Sequence, residues 1–344
     1  MNILKKVIKK IILKHYNNAK FSSWPDNGLL NVGVIYNEIF SLKQWEEALR
    51  DNFPDHNKFC NIIFIKNKRH KYILAKKINV YFADWLDSKY INYAQNLQWV
   101  HFAQSGIEFL KDVNMQNINI TTAGGLSSKY VAEYILATIL MFLRRIDMAI
   151  INQARCKWEQ KSILSRTGSI DKTTIGICGL GNNGQVAAKL CKKVGFKVVG
   201  FDREKKTSLT FVDMFFNEKE LEDFIKISDF IVICLPLNES TINMFDVNQL
   251  SVMKKNACII NVSRTGIINE SALRKALKTN MISGGITDVL PKEPCSFWYF
   301  LRKEKNFVIT PHIAGNIRLI SGEIQRDFIN RLKNYLNTGK HVHD

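Results

Sequence analysis

At 344 residues the chain exceeds a typical single domain, so two domains are expected. Its apolar share of 46% suits a full core, no apolar run reaches the roughly 20 residues that span a bilayer, and seven scattered cysteines without CxxC or CxxH spacing argue against a zinc site or a disulfide framework and suit a reducing cytoplasm. The net charge of +18 admits nucleic acid, membrane surfaces or anionic substrates, but basic residues are spread along the chain and no zinc-finger or aromatic-basic RNA-binding pattern occurs, so nucleic acid is not the expected partner.

The first element breaks this even spread. MNILKKVIKKIILKHY sets Ile3, Leu4, Val7, Ile8, Ile11 and Ile12 on one side of a helical wheel and Lys5, Lys6, Lys9 and Lys10 on the other. Such a helix fits the protein's own surface, an anionic membrane surface or a presequence. An alternation of strand and helix follows. Strands are expected within 29–37, 60–66, 78–86, 97–106 and 117–123, with an amphipathic helix over 41–53. This βαβ rhythm implies a parallel sheet flanked by helices. Residues 127–155 then read as one long helix, apolar around much of its circumference, which predicts cover from another domain or a second subunit and hence a homodimer. Residues 159–173 read as a loop. A second βαβ series runs from Thr174 to about residue 312, and a terminal helix is expected over 318–337.

The second series opens with TIGICGLGNNGQVAAKLCKKVGFKVVGFDR, in which strand, glycine turn, helix, strand and acid occur in order. Gly179 permits a tight turn, Gly181 lets the backbone approach a pyrophosphate, and Gly184 lets the helix pack against the sheet. Free N–H groups at the helix start favour phosphate. Asp202 stands where an acid accepts hydrogen bonds from the ribose hydroxyls and repels a 2′-phosphate, so NAD is expected over NADP; Arg203 beside it moderates that preference. Three further residues follow predicted strands: Arg264 after IINVS, Glu293 after ITDV, and His312 in TPHIAG. Ligands of open parallel sheets bind beyond the carboxyl ends of strands, which is where all three fall.

Over residues 96–316 the chain resembles the D-isomer-specific 2-hydroxyacid dehydrogenase family. AQSGIE, VAEYILATIL, GLGNNG with Asp202, SDFIVICLPLNEST, MKKNACIINVSRTG, TDVLPKEP and TPHIAG occur in the family's order. The resemblance implies two Rossmann-like domains: a discontinuous, flavodoxin-like substrate domain at 1–124 plus 313–344, and a doubly wound NAD-binding domain at 125–312. It implies that Arg264 binds the substrate carboxylate and polarises the keto oxygen, that His312 exchanges a proton with that oxygen, and that Glu293 hydrogen-bonds His312 and keeps it protonated. Main-chain amides around Ser105 and Gly106 would hold the carboxylate, and closure of the domains would exclude water. Asp288 would contact the nicotinamide carboxamide, with Asn182, Asn183, Leu235, Pro236, Thr241, Val262, Ser263 and Gly315 lining the cofactor. Physical chemistry suits the same trio: arginine as a bidentate anion anchor, histidine as a tunable acid, and glutamate as the partner that sustains its proton.

The chain departs from the family pattern in three places. Thr265 replaces the usual glycine, which predicts a less free backbone there. Ile317 replaces a frequent threonine, and 295–307 carries an aromatic cluster in place of a proline-rich segment, leaving substrate size open. The expectation is a cytoplasmic NAD-dependent oxidoreductase interconverting a 2-keto acid and a D-2-hydroxy acid. The alternative is a non-catalytic NAD-binding regulator, like the family's corepressors. A formate dehydrogenase is not expected, because that branch has glutamine where Glu293 stands.

Overall fold

Short apolar runs bounded by polar turns form mostly buried strands in the computed structural model, which describes residues 28–66, 68–107, 110, 117–204, 210–315 and 317–338. The basic N-terminal segment lies outside these residues. Among the described residues, those up to His101 and those within Val113–Ile120 and Ile329–Val342 form one compact unit. Those within Phe102–Asp112 and Thr121–Phe328 form the other.

In the first unit, β1 (Leu30–Ile35), α1 (Leu42–Asn52), β2 (Cys60–Ile65), α2 (Lys68–Leu74), β3 (Val80–Ala83), α3 (Ser88–Tyr93), β4 (Trp99–Phe102) and β5 (Asn119–Thr122) follow in order. The sheet order is β2-β1-β3-β4-β5, the flavodoxin-like arrangement, with β1 parallel to β2 and to β3. Helix α1 shows how locally this is written. Ser41 and Gln44 form a reciprocal capping box, and Trp45 and Leu49 turn to the core, where the Trp45 indole donates to the Ile35 carbonyl at 2.8 Å.

The second unit begins with α4 (Ser128–Leu143), α5 (Ile146–Ala154) and α6 (Gln160–Leu164). The single helix expected over 127–155 is therefore broken: Arg145 lies between α4 and α5 with φ +56°. Residues expected to form only a loop contain the short α6. Then come β6 (Thr174–Cys178), α7 (Asn182–Val194), β7 (Lys197–Phe201), β8 (Met214–Phe216), α8 (Leu221–Ile227), β9 (Phe230–Ile233), α9 (Val247–Ser251), β10 (Cys258–Asn261), α10 (Glu270–Lys278), β11 (Gly284–Thr287) and β12 (Phe307–Ile309). The terminal helix α11 covers Ile317–Thr338.

These seven strands form one wholly parallel sheet in the order β12-β11-β10-β9-β6-β7-β8. Its central strands are buried on both faces, which is why they read as continuous apolar runs and not as alternations. Val131, Ile135, Ile139 and Phe142 of α4 join the core beneath β6 together with Ala187, Ala188 and Cys191 of α7. Full burial of each large side chain contributes about 1.5–3 kcal/mol. No helix among the described residues is long and apolar enough to cross a membrane.

Candidate active site

Register places the chemistry. Phe201, Cys178, Ile233, Asn261, Thr287 and Ile309 are successive Cα partners across β7, β6, β9, β10, β11 and β12. The residues that leave the sheet next are Asp202, Gly179, Cys234, Val262, Asp288 and Thr310, all on one edge. Strand order reverses between β6 and β9, which opens the crevice where doubly wound sheets take ligands.

The glycine turn fits a dinucleotide residue by residue. Gly179 has φ +99°, and a β-carbon there would meet the Cys234 carbonyl oxygen at 2.8 Å. A β-carbon on Gly184 would stand 1.8 Å from the Gly179 oxygen, so the helix packs here only without a side chain. Around Gly181, by contrast, a β-carbon would meet nothing within 4 Å. That space adjoins the start of α7, where Gly181 is the N-cap and supplies no side-chain cap, leaving first-turn N–H groups for an anion. Asn182 and Asn183 open this turn, and the Asn183 amide oxygen accepts from the Ser128 hydroxyl at 2.7 Å. Asp202 accepts the Leu180 and Arg203 N–H groups, each at 2.8 Å. A carboxylate has about four acceptor sites, so about two remain open to a ligand.

Next along the edge, the loops after β9 and β10 are tied to each other. The Ser263 hydroxyl donates to the Leu235 carbonyl. The Thr241 hydroxyl donates to the Pro236 carbonyl at 2.6 Å and accepts the Asn238 N–H at 2.8 Å, so it shapes its own turn. Buried Asn261 holds the arginine loop by accepting the Ser263 N–H at 3.1 Å and donating to the Arg264 carbonyl at 2.9 Å. Arg264 is half-buried, and its guanidinium donates to the Ser263 carbonyl at 2.8 Å. The left-handed residue of this loop is Gly266, at φ +86°, and Thr265 is not among the positive-φ residues. The threonine in the usual glycine position therefore carries no left-handed strain.

Glu293 and His312, 19 residues apart, meet: His312 Nδ1 lies 2.8 Å from Glu293 Oε2. The other carboxylate oxygen accepts the Leu290 N–H at 3.0 Å, which fixes the orientation of the carboxylate. An acceptor-only partner assigns the proton to Nδ1 and leaves Nε2 for exchange with a ligand. The two side chains are 56% and 38% exposed, open enough to meet a substrate. His312 itself sits at φ +55°, a left-handed conformation costing roughly 1–2 kcal/mol in a residue with a β-carbon. The surrounding bonds must hold it there. Asp288, only 2% exposed, accepts from the Thr310 hydroxyl at 2.6 Å and from the Ile313 and Ala314 N–H groups at 2.9 and 2.8 Å. The Tyr134 hydroxyl lies 2.6 Å from that of Thr310. Asn261, Ser128, Tyr134 and Thr310 were not singled out by sequence; their partners lie far away in the chain or in loops whose shape no spacing encodes.

The remaining candidates lie in loops. Gly315 ends the histidine loop, 3.9 Å (from an ideal β-carbon) from the Ser127 side chain. Ser105 is exposed and Gly106 half-exposed in the turn after β4. The aromatic segment splits in two. Phe297 and Trp298 are 76% and 77% exposed and meet edge to face, whereas the Tyr299 hydroxyl is buried beside Glu270.

The family described as D-isomer specific 2-hydroxyacid dehydrogenase, NAD binding domain, matches residues 136–314. The chain belongs to this family. Among the relatives of this dehydrogenase-family chain is D-3-phosphoglycerate dehydrogenase of Archaeoglobus fulgidus, 30% identical over 242 residues, or 68% of this chain and 44% of that one. Another is glyoxylate reductase of Thermococcus litoralis, 31% identical over 214 residues, or 60% and 63% of the two chains. The aligned stretch thus spans less than two thirds of either relative. In fold the chain is similar to a D-isomer specific 2-hydroxyacid dehydrogenase from Xanthobacter autotrophicus solved with NADPH and MES. The TM-score is 0.77 at 22% identity, covering 90% of this chain and 96% of that one.

Proposed function

We propose that the protein is an NAD-dependent oxidoreductase that interconverts a 2-keto acid and a D-2-hydroxy acid. The observation that carries this reading is the 2.8 Å contact between His312 and Glu293, on the sheet edge that also bears the glycine turn and Arg264. The first-turn amides of α7 and the open space at Gly181 would receive the pyrophosphate, and Asp202 the adenosine ribose. Asp288 has about one acceptor site left after its three donors, suited to a carboxamide N–H. Asn182, Asn183, Leu235, Pro236, Val262, Ser263 and Gly315 would line the cofactor, and Thr241 would shape its loop. Bound there, the nicotinamide cofactor supplies or takes up the hydride.

The chain's own residues do the rest. Arg264 anchors the substrate carboxylate and polarises the keto oxygen, helped by main-chain amides at Ser105 and Gly106. His312 donates the Nε2 proton to that oxygen and takes it back in the reverse direction. Glu293 holds the ring in place through Nδ1, and acid–base catalysis of this kind is worth about 10²–10⁴-fold in rate. A carboxylate at position 202 repels a 2′-phosphate, so NADH should serve at least about tenfold better than NADPH, and Asp202→Ala should narrow the gap.

The test is NADH consumption against glyoxylate, hydroxypyruvate, pyruvate, 2-ketoglutarate and phosphohydroxypyruvate, with wild type and His312→Gln. Turnover by the wild type and a loss of at least about a hundredfold in the variant are expected. A fully active variant would remove His312 from the chemistry. NADH binding without turnover on the whole panel would instead mark an NAD-binding regulator. Ile146 and Ile150 of α5, 47% and 56% exposed, offer an apolar face that a second copy would cover, so a homodimer is to be read by light scattering against the 39.6 kDa chain mass.

A further inference from the structure

We infer that Tyr134, Thr310 and Asp288 form a strap that holds His312 in its working conformation, with Tyr134 a positioning residue that acts through Thr310. This rests on the role proposed for His312. The direction of the bonds follows from proton counting. Thr310 has one hydroxyl proton and gives it to Asp288 at 2.6 Å, because a carboxylate offers only acceptors. The 2.6 Å contact between the Tyr134 and Thr310 hydroxyls is then donated by Tyr134. Burial pushes the Tyr134 hydroxyl up to about 12, against the opposing pull of its Thr310 bond, so it keeps this proton at neutral pH. Asp288 in turn receives the N–H groups of Ile313 and Ala314, the two residues immediately after His312. Helix α4 therefore reaches the histidine through one continuous chain of donors: tyrosine to threonine, threonine to carboxylate, and both following amides to the same carboxylate. The left-handed backbone at His312, φ +55°, is what this chain holds in place.

Two kinds of measurement test the strap. The first is amide exchange at Ile313 and Ala314, which needs no substrate. Tyr134→Phe should speed it about threefold and Thr310→Val about tenfold or more, while Thr310→Ser, which keeps the hydroxyl, should restore wild-type rates. The second is steady-state turnover of NADH with glyoxylate and hydroxypyruvate. In Tyr134→Phe, kcat should fall about tenfold with KM for the keto acid within about twofold, and the solvent deuterium isotope effect should rise as proton donation becomes slower. Wild-type exchange and turnover in Tyr134→Phe would overturn the inference. So would a lower kcat matched by a smaller fraction of NADH-binding protein at an unchanged isotope effect, since that is the signature of mere destabilisation. Failure of the underlying reading looks different: His312→Gln would stay fully active whatever the exchange rates show.

Discussion

Gly181 and Gly184 stand in one turn of α7, yet the same substitution asks two different things of them. Alanine at 184 would force a β-carbon to 1.8 Å from the Gly179 oxygen, a backbone atom that no rotamer change can move. Gly184→Ala should therefore lower stability by about 2–3 kcal/mol in denaturant titration and lose NADH binding with it. At 181 the space is open and φ is −73°, ordinary for any residue. Gly181→Ala should leave stability within about 1 kcal/mol while weakening NADH at least about tenfold by calorimetry, because the added methyl occupies the approach to the helix amides. If both variants lost stability equally, the open space at Gly181 would not be a ligand space. The contrast also shows what a sequence can reveal at this scale. Fixed spacing encodes the glycine turn, because its tightest approach, of Gly184 to the Gly179 oxygen, lies within a few residues. The Tyr134–Thr310 bond joins residues 176 positions apart, and no local pattern announces it. Thr265 is the opposite case: a departure from the family pattern suggests strain, whereas the left-handed turn belongs to its neighbour Gly266.

At the scale of elements, the break between α4 and α5 needs a physical cause, since no glycine or proline occurs at residues 144–147. Arg145 is buried at φ +56°, its guanidinium 3.6 Å from the Asp147 carboxylate and 3.2 Å from the Ser283 hydroxyl. A tertiary contact overrides helix propensity here, so periodicity extended one helix across two. The pair is imperfect: Arg145 Nε and Asp147 Oδ1 are buried without partners. Burial raises the Asp147 carboxyl above its usual range and outweighs the lowering by Arg145. Desolvation thus exceeds attraction, the case in which removing one partner harms and removing both does not. Asp147→Ala should cost about 3 kcal/mol, because it leaves a buried guanidinium uncompensated. The double variant Arg145→Gly/Asp147→Ala should return to within about 1.5 kcal/mol of wild type, since no charge stays buried and glycine relieves the left-handed strain. The pH dependence has a definite sign. A carboxyl raised in the folded state stabilises below its unfolded value of about 3.9, and that contribution is lost as pH climbs through the raised one. Urea midpoints of the double variant should therefore decline less than wild type between those two values. A double variant as unstable as the single would show that the pair supports the fold.

For the whole molecule, the flavodoxin-like and doubly wound strand orders are what the family resemblance implies, and the parallel sheets follow from the βαβ rhythm. The register row from Phe201 to Ile309 does not, since it depends on how far each loop carries the chain before the next strand pairs. That row puts the glycine turn, Asp202, Arg264, Asp288 and His312 on the edge of a single sheet, and the five-stranded sheet belongs to a separate compact unit with its own strand order. Units with their own sheets are expected to open separately. A ligand that binds the folded cofactor unit adds RT ln(1 + [L]/Kd), about 2.7 kcal/mol at a hundredfold excess over Kd. NADH at that excess should slow amide exchange about a hundredfold in β6, β9 and β10, whose amides exchange through opening of that unit. The same addition should leave β1 and β3 unchanged, because nothing on their sheet carries the dinucleotide fingerprint. Hydrogen exchange read peptide by peptide separates the outcomes. Equal slowing in both sheets would mean that the chain opens as one cooperative body, and no slowing in β6 would mean that the glycine turn binds no dinucleotide at all.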